Sequence, residues 1–437
     1  MVSTSKTSRR VLGIATAAAL ALGMAACSST STTAGSGGAK SGDSFTYWSM
    51  WNKTEPQAKV LQSAITAFTA QTGIKVDVTW AGRTVTKQIG PAVAAGDPPD
   101  LWDQNAGTVL STLGSEGQAL DLTPVLGMTV PGENVKVGSV IPAKYLTSQP
   151  KDSDGTSNYV IPYEVTAEGI FYNAADPNIK AAMPTPPTSW AQFISVCAAL
   201  KSKSEPCIAS EGEDSWTNGL YLDYELLANG VNWSALAADR TGAAWDAPGV
   251  ATAVNDMDQL VSGGYIVPTY TATKYPAQET NWANGRAGFY MDGSYVTAEV
   301  SKEIPATWRT GMILPPGVTQ ADAGTFGFSI PKKAKNISAA EQFIAFFMQK
   351  SQLAGISTVA DNITSRPDIA APPELAAVQQ ALSAPTLRVD FSNTIPSDYY
   401  NKVYNQNFLD FWHGKLTAAQ FIAKMKSDQI AYWQTQG

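Results

Sequence analysis

Hydrophobic positions along the chain switch between two spacings, and the switching predicts the fold class. Phe45-Thr-Tyr-Trp-Ser-Met-Trp51 is aromatic and β-prone and reads as a first strand. Thr54-Glu-Pro-Gln57 then fits a capping box with proline in the first helical turn, and Val60, Leu61, Ala64, Ile65 and Phe68 follow at helical spacing. Gly73 supplies a helix stop, after which Ile74, Val76, Val78 and Trp80 alternate with polar residues as a strand does. A second helix over residues 85–95 ends at Gly96-Asp-Pro-Pro99, and Leu101-Trp102 begins another strand. This order predicts a mostly parallel α/β sheet, in which ligands gather where strands end and helices begin.

Further along, Asp154-Gly155 marks a turn before the strand Tyr159-Val-Ile-Pro-Tyr163. Asp152-Ser-Asp-Gly155 does not make an EF-hand loop, because the glycine comes too early and no glutamate closes it. Helical patterns return at 190–200, 220–229, 251–261, 339–350 and 417–433, and Gly324 to Pro331 reads as a strand. Phe343, Phe346 and Phe347 fall on the core side of one of these helices. No internal repeat is present.

The first residues carry a different pattern. Lys6, Arg9 and Arg10 precede an uncharged stretch from Val11 to Ala26, shorter than the ~20 residues a spanning helix needs. Residues 1–26 therefore read as an export signal, and Met24-Ala-Ala-Cys27 resembles a bacterial lipobox in which Cys27 receives the lipid. The adjacent Arg9-Arg10 leaves both the twin-arginine and the general export route open. Residues 27–44, rich in Ser, Thr, Gly and Ala, read as a flexible tether with a reach of roughly 20–25 Å. The expected location is the extracytoplasmic face of the cell membrane. Cys197 and Cys207 remain as a closely spaced pair, which outside the cytoplasm favours a local disulfide.

Composition then removes whole classes of function. The 437 residues are 44% hydrophobic and 15% charged, which suits a large packed core. Thirty Lys and Arg against 37 Asp and Glu give a net charge of −7, which argues against nucleic acid as a partner. Loss of residues 1–26 would remove three basic residues and take the charge to −10. A single histidine, His413, excludes a multi-histidine metal site, and its place before the C-terminal helix suits a surface or capping role. Aromatic residues are plentiful, at 14 Phe, 12 Trp and 16 Tyr, enough to furnish stacking surfaces as well as a core.

An ordered set of segments now carries a family resemblance. These are Gly96-Asp-Pro-Pro-Asp-Leu-Trp102, Ala119-Leu-Asp-Leu-Thr123, Tyr159-Val-Ile-Pro-Tyr163 with Gly169-Ile-Phe-Tyr-Asn173, Trp282 to Tyr295, and Phe326-Gly-Phe-Ser-Ile-Pro331. Behind a lipobox, in this order, they resemble the extracellular solute-binding proteins of carbohydrate ABC importers, of the maltose-binding-protein-like type. The resemblance covers residues 45–437. It implies an α/β, two-lobed periplasmic-binding-protein fold with discontinuous lobes and a ligand cleft between them. By analogy, lobe 1 would take 45–165 and 323–365, and lobe 2 would take 166–322 and 366–437.

A sugar offers flat C–H faces and a rim of hydroxyls, so its site needs aromatic platforms and fixed polar groups. The aligned segments place Trp51 and Glu55 after the first strand, and Arg83 after the second. Asp103 and Asn105 follow the Pro-Asp element as hydroxyl-binding groups, and Glu164 stands at the crossing strand. Trp216 belongs to a loop lining lobe 2, Asp292 and Tyr295 to the Met-Asp-Gly-Ser-Tyr block, and Arg366 and Tyr399 to later segments. Tyr295 stands where many relatives have Trp.

The resemblance implies capture of a mono- or oligosaccharide and delivery to an ABC transporter permease, by a monomer, without catalysis, cofactor or metal. No Walker A sequence is present, so ATP hydrolysis would belong to a partner chain. A non-sugar solute (polyamine, peptide or an iron complex, the last faintly suggested by Tyr399-Tyr400) is the main alternative. A secreted glycoside hydrolase using two of Asp103, Glu164 and Asp292 is another.

Overall fold

The computed structural model describes residues 40, 43–151, 155–213, 215–388 and 395–436. The leader, the lipobox with Cys27, most of the tether and the acidic residues Asp152 and Asp154 of the expected turn lie outside the described residues. Gly155, the glycine of that turn, adopts φ 68°.

Among the described residues there are eleven strands: β1 Ser44–Ser49, β2 Lys75–Trp80, β3 Leu101–Asn105, β4 Thr129–Val130, β5 Val135–Lys136, β6 Ile161–Asn173, β7 Ile208–Ala209, β8 Phe289–Gly293, β9 Thr310–Ile313, β10 Ala323–Ser329 and β11 Ile363–Thr364. Nine of them form one sheet in the order β2-β1-β3-β10-β6-β8-β7, with β9 and β11 also on β6, while β4 and β5 make a small hairpin. β1, β2 and β3 are parallel, as the alternation of strands and helices predicts. Their crossovers are the helices Pro56–Thr72 and Val85–Ala95, each ended by a left-handed glycine, Gly73 at φ 74° and Gly96 at φ 77°. The first helix does not use the expected Thr54/Gln57 capping box. Glu55 occupies the N-cap, its carboxylate accepts from the Asn52 N–H, and Gln57 is buried instead.

β6 organises the rest. Ile161 to Ala167 pair with β10, whereas Glu168 to Asn173 pair with β8 and β9, so one 13-residue strand serves two halves of the sheet. Gly327 lets β10 approach it, since a Cβ there would stand 2.2 Å from the Ile161 carbonyl oxygen. Each half recruits helices from distant sequence. Ile337–Phe347 and Lys350–Thr358 pack back onto Pro56–Thr72, and the C-terminal helix Ala418–Thr435 packs on Pro248–Ser262. That last helix carries the Thr417/Gln420 capping box in full.

Most aromatic residues build the interior. Phe45, Tyr47, Phe68, Phe328, Phe343 and Phe347 interlock in the first half, and Trp233, Trp245, Tyr404 and Phe421 in the second. The high tryptophan count is thus chiefly a packing feature, with Trp102, Trp245, Trp282 and Trp412 fully buried. His413 hydrogen-bonds the Gly212 carbonyl through Nε2 at 2.7 Å, just after the helix Asn405–Trp412.

Cys197 and Cys207 are bridged, Cα to Cα 4.9 Å, tying the helix Trp190–Lys201 to the start of β7. Restricting the unfolded chain over a loop of this size contributes about 2–3 kcal/mol. A Cys197→Ala/Cys207→Ala double variant is therefore expected to lose about that much in urea unfolding. A loss under about 1 kcal/mol would mean that loop closure contributes little here.

Candidate functional site

A cavity of about 770 Å³ opens between two sets of segments. One wall comes from the turn after β1, from Arg83 after β2 and from Phe326 on β10; the other comes from Trp216, Tyr275, Glu279, Tyr295 and Glu299.

The first wall is held by a buried relay. Asp103, completely buried on β3, accepts hydrogen bonds from the Met50 N–H at 2.9 Å and the Tyr163 hydroxyl at 2.7 Å. The Tyr163 oxygen in turn accepts from the Trp51 indole N–H at 2.7 Å. Loss of solvent pushes the Asp103 carboxyl up to about 6, against the lowering effect of its donors. Asp103 thus sets the ring of Trp51 rather than reaching a ligand. The Arg83 guanidinium lies 4.8 Å from the centre of that ring, donates to the Met50 carbonyl at 2.8 Å and pairs with Glu55 at 3.1 Å. The Arg83–Glu55 pair is largely solvated and adds little stability. Its value is positional: it places a donor fork and an acceptor at the cavity's edge. Phe326 stands 6.0 Å from Trp51, tilted by 46°.

The second wall is aromatic and acidic. Trp216 is the first residue of the helix Trp216–Ala228 and lies 5.2 Å from the Tyr275 ring. The Tyr275 hydroxyl donates to the Glu299 carboxylate, at the end of the short helix Val296–Glu299 that follows Tyr295. Glu279, on the helix Ala277–Ala283, is 2% exposed and pushed up to about 8, first by burial and then by the neighbouring Glu299. Burial raises Glu299 as well.

Of the eleven side chains expected at the site, Trp51, Glu55, Arg83, Trp216 and Tyr295 border this cavity. The other six lie elsewhere, for identifiable reasons. Asp103 is the buried relay, and Asn105 caps the helix Ala106–Val109 by accepting from the Gly107 N–H. Glu164 is fully buried on β6, and burial pushes it up to about 8 against the lowering effect of Gln57. Asp292 sits at the end of β8 behind the second wall, one oxygen accepting from the Gly293 N–H, its carboxyl raised by burial and by Glu279. Arg366 is consumed by Glu133 at 2.6 Å, Asp368 at 2.9 Å and the Met348 carbonyl. Tyr399 is buried and donates to Gln429, and the neighbouring Tyr400 hydroxyl meets Ser215, so neither tyrosine presents a free pair for iron. Among the described residues no group of three His, Cys, Asp or Glu is placed to hold a metal ion.

Phe326, Tyr275, Glu279 and Glu299 were not expected there. One had a readable signal. Phe326 did not: two places before the core residue Phe328 it would share that residue's face in a regular strand, and the register shift between Phe326 and Gly327 is what separates the two. Glu299 follows Tyr295 by four residues, one helical turn, and shares its face. Tyr275 and Glu279 sit in no distinguishing pattern.

Among known proteins, the diacetylchitobiose-binding protein NgcE of Streptomyces coelicolor is 22% identical over 287 residues, 62% of this chain and 59% of that relative. The match thus spans less than two thirds of the relative's length. A chitin oligosaccharide binding protein of known structure superposes with a TM-score of 0.71 at 19% identity, covering 88% of this chain and 98% of that one. The bacterial solute receptor AcbH, described as preferring β-D-galactopyranose, gives 0.70 at 18% identity over 90% and 99%. These likenesses establish the two-lobed receptor fold. Among the described residues no helix is long and apolar enough to cross a membrane. A model of bacterial extracellular solute-binding proteins, a family of binding proteins and not of enzymes, matches residues 52–353. With about two thirds of its length so matched, and with a cavity set between two halves of a shared sheet, the chain belongs to the bacterial extracellular solute-binding proteins.

Proposed function

We propose that this protein captures a mono- or oligosaccharide outside the cell and hands it, unaltered, to the permease of an ABC importer. The observation that carries this reading is the pairing of aromatic faces and charged hydrogen-bonding groups on opposite walls: Trp51 and Phe326 with Glu55 and Arg83 on one, Trp216, Tyr275 and Tyr295 with Glu279 and Glu299 on the other. Rings cover the apolar faces of a pyranose and the charged groups meet its hydroxyl rim. A ligand touching both walls stabilises the closed arrangement, because only there are both sets of contacts made. The saccharides named for the relatives support the same class.

The two walls belong to two lobes in this reading, 45–165 with 323–365 and 166–322 with 366–437. The division of β6 between two sets of partners supports it. Residues 1–26 act as the export signal, Cys27 carries the lipid, and residues 27–44 tether a monomeric receptor to the outer face of the membrane. A palmitate label incorporated by wild type and absent from Cys27→Ala tests the anchor.

Calorimetric titration against a panel of chitin-, glucose- and galactose-based saccharides tests the binding. Trp216→Ala is expected to weaken the preferred sugar about 10- to 100-fold, about 1.4–2.7 kcal/mol, with the fold unchanged. No heat across the panel, together with no ligand-induced compaction in solution scattering, would sink the proposal.

A further inference from the structure

The second wall carries more acid than a neutral sugar needs. Glu279 and Glu299 border the cavity, and Glu211 and Asp292 stand behind them. Among the described residues none of the four forms an ion pair with Lys or Arg. Glu211 is held by the Tyr290 hydroxyl at 2.9 Å and Thr217 at 3.3 Å. Asp292 keeps one oxygen, Oδ2, without a partner, and Glu279 likewise keeps Oε2 unpartnered although it is only 2% exposed and lines the cavity. A carboxyl oxygen buried without a donor is costly, and a donor brought by a ligand would offset that cost.

We propose that this wall receives a protonated amine, so that the ligand is a saccharide bearing a free ammonium group seated between Glu279 and Glu299. The inference rests on the sugar-binding reading and names the chemical class within it. An ammonium has three donors and no acceptor, and Glu279 and Glu299 retain acceptor sites of the right sign. An acetamido group at the same place presents one N–H and no charge, and gains less from the wall.

The surroundings of Glu279 make the binding proton-linked. It is faced by Tyr275 from the preceding turn, by Glu299 and Glu303 from the segment after Tyr295, by Glu211 ahead of the helix Trp216–Ala228, and by Asp292 and Tyr290 from β8. Arg83 acts on Glu299 from the opposite wall and is itself paired with Glu55, and Lys59 and Lys302 also line the cavity. Glu279, raised to about 8, is mostly protonated at pH 7 without ligand. An arriving ammonium favours its ionised form, and the proton leaves to solvent.

The decisive comparison is the glucosamine disaccharide with free amines against N,N′-diacetylchitobiose, titrated calorimetrically at pH 7 in two buffers of different ionisation enthalpy. The free amine is expected to bind at least 10-fold tighter and to release a proton, and Glu279→Gln is expected to abolish both the preference and the release, weakening the free amine at least 10-fold more than the acetylated sugar. Glu299→Gln should reduce the preference in the same direction. Equal or tighter binding of the acetylated sugar overturns the amine assignment and leaves sugar capture standing. Binding of spermidine with neither disaccharide bound overturns both.

Discussion

Arg388→Ala is expected to lower the unfolding free energy by about 3–5 kcal/mol, among the largest effects of any single change here. Arg388 reaches Asp223 at 2.8 Å and Asp322 at 2.9 Å, and the two carboxylates are 2% and 0% exposed. Its guanidinium also lies 5.4 Å from the Tyr224 ring. Tyr224 is itself a tie, donating to the Glu168 carbonyl in the middle of β6 and accepting from the Asp322 N–H. Without the arginine, two acids remain buried without a countercharge. They must then take up protons, so the loss should be greater at pH 8 than at pH 5. Urea unfolding of wild type, Arg388→Ala and Arg388→Lys checks this, with the lysine variant intermediate because it keeps the charge but not the fork. A loss below about 1 kcal/mol in the alanine variant would show that the cluster is not a stabilising one.

A second large effect concerns pH. Glu164, raised from 4.5 to about 8, is fully buried, and Glu225 and Glu279 are raised to about 8 as well. For such groups the folded state holds its proton where the unfolded state has released it. Their contribution is therefore complete below about pH 4.5, and it falls by about 1.4 kcal/mol per pH unit per group until about pH 8. Asp100 and Asp368, lowered by their hydrogen-bond donors, act oppositely and lose their contribution only as pH falls through the acid range. The thermal midpoint is expected to fall from pH 5 to pH 8. Glu164→Gln should change stability at pH 5 by less than about 1 kcal/mol and raise it at pH 8 by about 3–4 kcal/mol, since the amide has no charge to bury. A midpoint flat or rising over that range, with no pH-dependent gain in the variant, would refute this.

The same two clusters show where reading the chain reached its limit. The parallel strands β1 to β3 and their crossover helices could be read residue by residue, because period-two and helical spacings with Gly73 and Gly96 as stops are local signals. The binding residues divided differently. Trp51 and Arg83 follow strand ends and do border the cavity, but Asp103, two residues past a strand start in the same kind of motif, turned inward to hold Tyr163. Nothing local distinguishes an acid that meets a ligand from one that orients a tyrosine 60 residues away.

Element type, order and handed stops are set by interactions within about a dozen residues, and so is the proximity of Cys197 to Cys207, which is why each could be written down from the chain alone. Side-chain destination is another matter. Arg366 meets Glu133 across 233 positions, and Glu279 faces Glu299 and Glu211 from three separate segments. Whether a carboxylate is solvated, paired or left facing an open cavity depends on the segments that packing brings around it, and burial and countercharge then decide its protonation and its use. Only the folded chain contains that information.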